Sequence, residues 1–124
     1  MSQKIVVIED EPEFLQLMEG WLSHAGYKVA TANNGEDGLE KIKSFRPDLI
    51  ILDALVPGMT GVELVEEIQR QTENISKIPI IMMSGRESMR DLSGEIFAFI
   101  AKPFTLIEMA EKIKEALKTS CPKP

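Results

Sequence analysis

Short runs that are apolar at every position alternate along this chain with segments whose apolar residues recur at helical spacing. Ile5-Val6-Val7-Ile8, Leu49-Ile50-Ile51-Leu52 and Ile80-Ile81-Met82-Met83 are the clearest such runs. A strand points successive side chains to opposite faces, so a run apolar throughout must be covered on both. That requirement is met by a parallel sheet between two layers of helices. The intervening segments fit it. Pro12 suits a first helical turn, Phe14, Met18, Trp21, Leu22 and Ala25 recur at helical spacing, and Gly26 ends that helix. Residues 27–32 read as a second strand, and Asn34-Gly35 precedes a helix marked by Leu39, Ile42 and Phe45. Residues 48–53 form a third strand, and Val65 and Ile68 mark a third helix after Pro57 and Gly61. Residues 79–83 and 97–101 supply strands four and five, and 105–118 a last helix with Met109, Ile113 and Leu117 on one face. Strict βα alternation predicts a doubly wound α/β fold with a five-stranded parallel sheet.

The 124 residues fit one domain, able to bury a core without disulfides or a structural metal. A formal net charge of −6 argues against nucleic-acid phosphates and anionic membranes as partners. Cys121 is the only cysteine, so no internal disulfide forms and a reducing, cytoplasmic setting is expected. It reads as a bystander near the chain's end. No apolar stretch approaches membrane-spanning length. Residues 1–119 are expected to form the domain, with 120–124 as a tail or the start of a linker.

In doubly wound sheets the ligand site lies at the carboxyl ends of the strands, where strand order reverses. The first strand here ends in Glu9-Asp10-Glu11, the third in Asp53, the fourth in Ser84, and the fifth in Lys102 followed by Pro103. With strand order 2-1-3-4-5, Glu9, Asp10 and Asp53 converge on one rim, flanked by Ser84 and Lys102. Two like charges about 4 Å apart cost roughly 4 kcal/mol at an effective dielectric near 20. Such a cluster needs raised pKa values or a cation. Mg²⁺ suits it, since it prefers oxygen ligands, takes one or two carboxylates and leaves positions open for phosphate oxygens. Lys102 adds a second positive charge and Ser84 a hydroxyl donor, a set able to stabilise a phosphoryl group in transfer. Asp53 is then the natural nucleophile, because a carboxylate can form an acyl-phosphate. Read singly, each residue has a plainer explanation. Glu9-Asp10-Glu11 suits a solvated turn, Asp53 and Lys102 a structural ion pair, and Ser84 ordinary turn chemistry.

Five pieces in order, each at an expected strand end, resemble the receiver domain of two-component response regulators. They are Val7-Ile8-Glu9-Asp10-Glu11-Pro12, Asp48-Leu49-Ile50-Ile51-Leu52-Asp53, Pro57-Gly58-Met59-Thr60-Gly61, Met83-Ser84 and Lys102-Pro103-Phe104. The resemblance covers essentially the whole chain and implies a flavodoxin-like topology of order 2-1-3-4-5. It implies that Asp53 accepts a phosphoryl group from a phosphohistidine on a sensor histidine kinase or histidine phosphotransfer protein. Asp10 would bind Mg²⁺ directly, Glu9 through a water, and the backbone carbonyl of Leu55 would be a further ligand. Lys102 would pair with Asp53 and then with the phosphoryl oxygens, and the Lys102-Pro103 bond would be cis. Ser84 would move toward the new phosphoryl oxygen, and an inward turn of Phe99 would fill the space it leaves. The switched surface would then engage a downstream protein partner. The resemblance implies a signalling module that assists its own phosphorylation and dephosphorylation, not an enzyme acting on a separate substrate.

The chain departs from the family between Ser84 and Lys102, which lie 18 positions apart. The family is usually longer there by about one helical turn, roughly 4 residues. A shortened or irregular fourth helix is expected somewhere in 87–93, which puts the usual readout face in question. Ile96 and Phe97 would either repack the gap or form a docking patch. Gly85 allows loop freedom, and Arg86 is placed to reach the phosphoryl rim and alter dephosphorylation. His24 reads as a surface residue in the last turn of the first helix, and the methionines as core filler. Competing readings are a docking module of the same fold that works without phosphorylation and a flavin-binding protein. The second would want a hydroxyl- and Gly-rich phosphate loop where Glu-Asp-Glu-Pro stands. A DNA-binding regulator would need a module for which these residues leave no room.

Overall fold

The computed structural model describes residues 3–54, 58, 60–84 and 96–120, with the side chains of all but the last two. Every residue of Leu49–Asp53 and of Ile80–Ser84 is buried, as runs without polar alternation require. These are the two inner strands on one side of a five-stranded sheet of order β2-β1-β3-β4-β5. Its strands are β1 (Lys4–Ile8), β2 (Lys28–Ala32), β3 (Leu49–Asp53), β4 (Ile80–Ser84) and β5 (Ala98–Ala101). All four pairings are parallel. The helices are α1 (Pro12–His24), α2 (Gly35–Phe45), α3 (Gly61–Gln69), a single turn α4 (Glu73–Ser76) and α5 (Leu106–Ser120).

Register assigns each apolar residue to a layer. Val6 pairs with Ile50 and Ile50 with Ile80, so these three share a face. With Ile8, Leu52 and Met82 they pack on Ile42 of α2 and on Leu64, Val65 and Ile68 of α3. On the opposite face Ile5, Val7, Ile51, Ile81 and Met83 meet Met18 and Leu22 of α1 and Met109, Ile113 and Leu117 of α5. A fully buried Ile, Leu or Met contributes about 1.5–3 kcal/mol relative to exposure, so these two layers dominate the fold's stability.

The helix ends follow local chemistry. Pro12 occupies the first turn of α1. Gly26, at φ +104°, takes the chain out of it in a conformation that side-chain-bearing residues avoid. The Asn34 side chain accepts a 2.8 Å hydrogen bond from the Asp37 N–H at the start of α2. Thr60 and Glu63 cap α3 reciprocally at 3.0 and 3.1 Å, as Thr105 and Glu108 do for α5 at 2.8 and 3.0 Å.

β2, β3, β4 and β5 each begin one residue later than expected. Tyr27 still belongs to the turn closing α1, its N–H donating to the Leu22 carbonyl. Ile96 and Phe97 part company: Ile96 packs into the core beneath α3, whereas Phe97 is exposed. Gly85, Arg86, the irregular helix expected in 87–93, and Cys121 lie outside the described residues. Among those described, no helix is long and apolar enough to cross a membrane.

Candidate functional site

Four strand ends meet where the order reverses between β1 and β3. Glu9 follows β1, and its N–H donates to the Ala32 carbonyl at 3.0 Å, keeping it in line with the sheet. Asp53 is the last residue of β3 and pairs with Met83 of β4. The next N–H, of Ala54, donates to the Met83 carbonyl at 2.9 Å. The Ala54 carbonyl in turn accepts from the Gly61 N–H at 3.0 Å. A β-carbon on Gly61 would lie 2.9 Å from both the Cα and the carbonyl oxygen of Ala54, so only glycine allows this approach. Lys102 follows β5, its N–H donating to the Ser84 carbonyl at 2.9 Å. The Lys102-Pro103 bond is cis.

The Lys102 Nζ lies 2.9 Å from Asp53 Oδ2 and 3.1 Å from Glu9 Oε1, joining the ends of β5, β3 and β1 through one ammonium. Glu9 Oε2 accepts the Glu11 N–H at 3.1 Å. Glu9, Asp10 and Asp53 each offer a carboxylate oxygen within 4.8 Å of the others. Glu9 is 1% exposed and Asp53 7%, while Asp10 faces solvent. On the remaining side the Lys102 Nζ stands over the ring of Phe14 in α1, 5.1 Å from its centroid. Phe14 meets Phe104 edge to face at 5.9 Å.

The electrostatics follow from this crowding. Burial raises the Glu9 carboxyl to a pKa of about 7; its hydrogen bond and charge contact with Asp53 push the same way, against the Glu11 N–H and the Lys102 ammonium. Burial alone would lower the Lys102 pKa. The hydrogen bonds and charges of Asp53 and Glu9 outweigh it and raise the value, so Lys102 stays cationic. Three carboxylates thus face one ammonium. The all-oxygen donor set, the unsatisfied negative charge and the solvent-facing Asp10 fit a hard divalent cation of the Mg²⁺ type.

The structure therefore brings together Glu9, Asp10, Asp53 and Lys102. Ser84 is buried at the end of β4, beside Ala101 and one register beyond the Met83 that pairs with Asp53. Phe99 of β5 pairs with Met82 of β4 and is half-buried against the layer that contains Ile96. Leu55 lies outside the described residues. Sequence reasoning placed Phe14 in the helical core and missed its contact with Lys102. The signal was an aromatic at the third residue of a helix that starts at the acidic rim, and it becomes informative only once α1 is seen to converge with the end of β5.

A model of the response regulator receiver domain family matches residues 5–114. The alkaline phosphatase synthesis transcriptional regulatory protein PhoP of Bacillus subtilis (strain 168) is 33% identical over 124 residues, 97% of this chain and 50% of that protein. The chain thus spans about half the length of this curated relative. The signal receiver domain of a signal transduction histidine kinase from Syntrophus aciditrophicus superposes with a TM-score of 0.88 at 28% identity, over 99% of this chain and 96% of that one. The receiver domain of sensor histidine kinase PA1611 from Pseudomonas aeruginosa PAO1, which has a magnesium ion coordinated in its active-site cleft, superposes at 0.83 and 24% identity. That match covers 95% of this chain and 99% of that one, and is a likeness of fold.

Proposed function

Because this chain belongs to the response regulator receiver domain family, we propose that Asp53 is the residue on which it accepts its phosphoryl group. The observation that carries this assignment is the bridge from the Lys102 ammonium to Asp53 at 2.9 Å and to Glu9 at 3.1 Å, with Asp10 within 4.8 Å. A structural ion pair would need one carboxylate per cation, and burying an excess of negative charge only costs stability. A site that receives a phosphoryl group has a use for the arrangement.

The donor is a phosphohistidine of a sensor kinase or phosphotransfer protein. An Asp53 carboxylate oxygen attacks phosphorus, a P–O bond forms, and the P–N bond breaks with its electron pair left on the imidazole. Lys102 holds its ammonium at Asp53 Oδ2, where phosphoryl oxygens arrive, and the Ser84 hydroxyl donates to one of them. Asp10 and Asp53 would hold Mg²⁺, with Glu9 acting through a water and the Leu55 carbonyl as a further ligand. When bound, Mg²⁺ supplies the positive charge that neutralises the incoming phosphoryl oxygens. Water later attacks the acyl-phosphate at the same site, so the domain assists its own dephosphorylation and has no separate substrate.

The new charge, about −1.5 to −2 in phosphorylated side chains generally, draws on Ser84 and Lys102. Phe99, half-buried beside Met82, then turns inward, and a downstream protein partner reads the changed surface. The domain works in the cytoplasm.

Incubation with Mg²⁺ and a small acyl-phosphate donor, followed by intact-mass measurement, tests the assignment. One phosphoryl adduct that Asp53→Asn abolishes supports it; no adduct with any donor removes it.

A further inference from the structure

The Lys102 ammonium has a third neighbour besides its two carboxylates, and it is not a polar one. An ammonium carries three donors and no acceptor. Asp53 Oδ2 at 2.9 Å and Glu9 Oε1 at 3.1 Å account for two directions. The face of Phe14 lies toward the Nζ, 5.1 Å from centroid to nitrogen, inside the roughly 6 Å over which a ring quadrupole attracts a cation. The ring is itself held. Phe104, two residues after Lys102, meets it edge to face at 5.9 Å and 75°, and both rings pack on the core layer between α1 and α5.

We propose that Phe14 is a positioning residue of the phosphoryl-transfer site, whose ring face holds the Lys102 ammonium in place before Asp53 and Glu9. This rests on the reading of Asp53 as phosphoacceptor and adds a residue from α1 to it. Lysine has a long, flexible stem and a strongly hydrated head, and the Lys102 side chain here is 30% exposed. Two carboxylates on one side do not stop it from swinging outward into water. A π face on the other side does, and it keeps water off that flank without offering an acceptor that would compete with a phosphoryl oxygen. Because the ring rides on α1 while the ammonium rides on the residue that follows β5, the contact also ties the position of α1 to the transfer site.

The test separates the ring's electrostatics from its volume. Fluorinated phenylalanines keep the shape of Phe14 and weaken its negative face stepwise. Replacing Phe14 with mono-, di- and trifluorophenylalanine should slow phosphorylation by a small acyl-phosphate donor progressively, by about three- to tenfold at trifluorination. Phe14→Leu should behave like the trifluorinated protein, and Phe14→Tyr like the original. Mg²⁺ affinity should stay within about twofold throughout, since Phe14 touches no carboxylate. A second readout needs no phosphorylation: fluorination should lower the denaturation midpoint more when Lys102 is present than in a Lys102→Met background. Equal rates across the series, or the same stability change in both backgrounds, would overturn the proposal. If the unmodified protein takes up no phosphoryl group, the reading of Asp53 falls, and the stability cycle alone decides the Phe14–Lys102 link.

Discussion

Lys102 and Asp53 lie 49 residues apart in sequence and 2.9 Å apart in space, and with the 3.1 Å bond of Lys102 to Glu9 their ion pair ties together the ends of β5, β3 and β1. Lys102→Met keeps the length of the stem and removes the charge. It should slow phosphoryl transfer on the order of 10²-fold, the usual cost of losing one charge-stabilising donor. It also leaves Glu9 and Asp53 facing each other. The metal-free protein should lose about 2 kcal/mol, less than for a fully buried pair because the lysine is partly exposed. Urea denaturation should show Mg²⁺ restoring most of this loss, while the transfer rate stays low.

The raised Glu9 pKa of about 7 sets a pH dependence of stability. In the unfolded chain a glutamate titrates near 4.5. Between these values the folded state holds a proton that the unfolded state has lost, so stability falls as pH rises. The metal-free protein should be most stable near pH 5 and lose up to about 3 kcal/mol by pH 8. Glu9→Gln should flatten this part of the profile, and denaturation midpoints at matched ionic strength measure it.

Metal binding should show the opposite slope. Below pH 7 a cation entering the cluster displaces the Glu9 proton, so Mg²⁺ affinity should rise from about pH 6 to pH 8 and then level off. Titration calorimetry in buffers of different ionisation enthalpy would count the proton released. An affinity independent of pH would show that Glu9 and the metal are uncoupled.

Gly61 carries no side chain yet should matter to the site. Its missing β-carbon lets the start of α3 press against Ala54, the neighbour of Asp53. Gly61→Ala puts a methyl 2.9 Å from backbone that has no freedom to yield. It should cost about 1–3 kcal/mol by overpacking and slow phosphorylation by moving Asp53. Gly20→Ala, on the solvent face of α1 with nothing within 4 Å, is the control and should leave both unchanged or slightly raise stability.

Much of this arrangement is legible in the sequence, for a physical reason. Runs such as Leu49-Ile50-Ile51-Leu52 tolerate only two-sided burial, and that dictates a parallel sheet and sends functional groups to its carboxyl ends. Glu9, Asp10, Asp53, Ser84 and Lys102 all follow from knowing where strands stop. Less visible is what depends on helices meeting strand ends. The α4 turn around Asn74 carries one buried apolar residue, Ile75, and so has no period to read. Phe14 looks like any core aromatic until α1 and the end of β5 are placed side by side. Direct contact between Glu9 and Lys102 was hidden as well, since sequence reasoning gave Glu9 to the metal and Lys102 to Asp53.

A phosphoryl group should arrive on Asp53 and nowhere else. Borohydride reduces an aspartyl-phosphate to homoserine, which marks the acceptor covalently. After incubation with Mg²⁺ and an acyl-phosphate donor, reduction and peptide mapping should find homoserine at position 53 alone, and none when Mg²⁺ is chelated beforehand. Homoserine at Asp10 or at another carboxylate, or none at any position despite a phosphoryl adduct in the intact mass, would contradict the account.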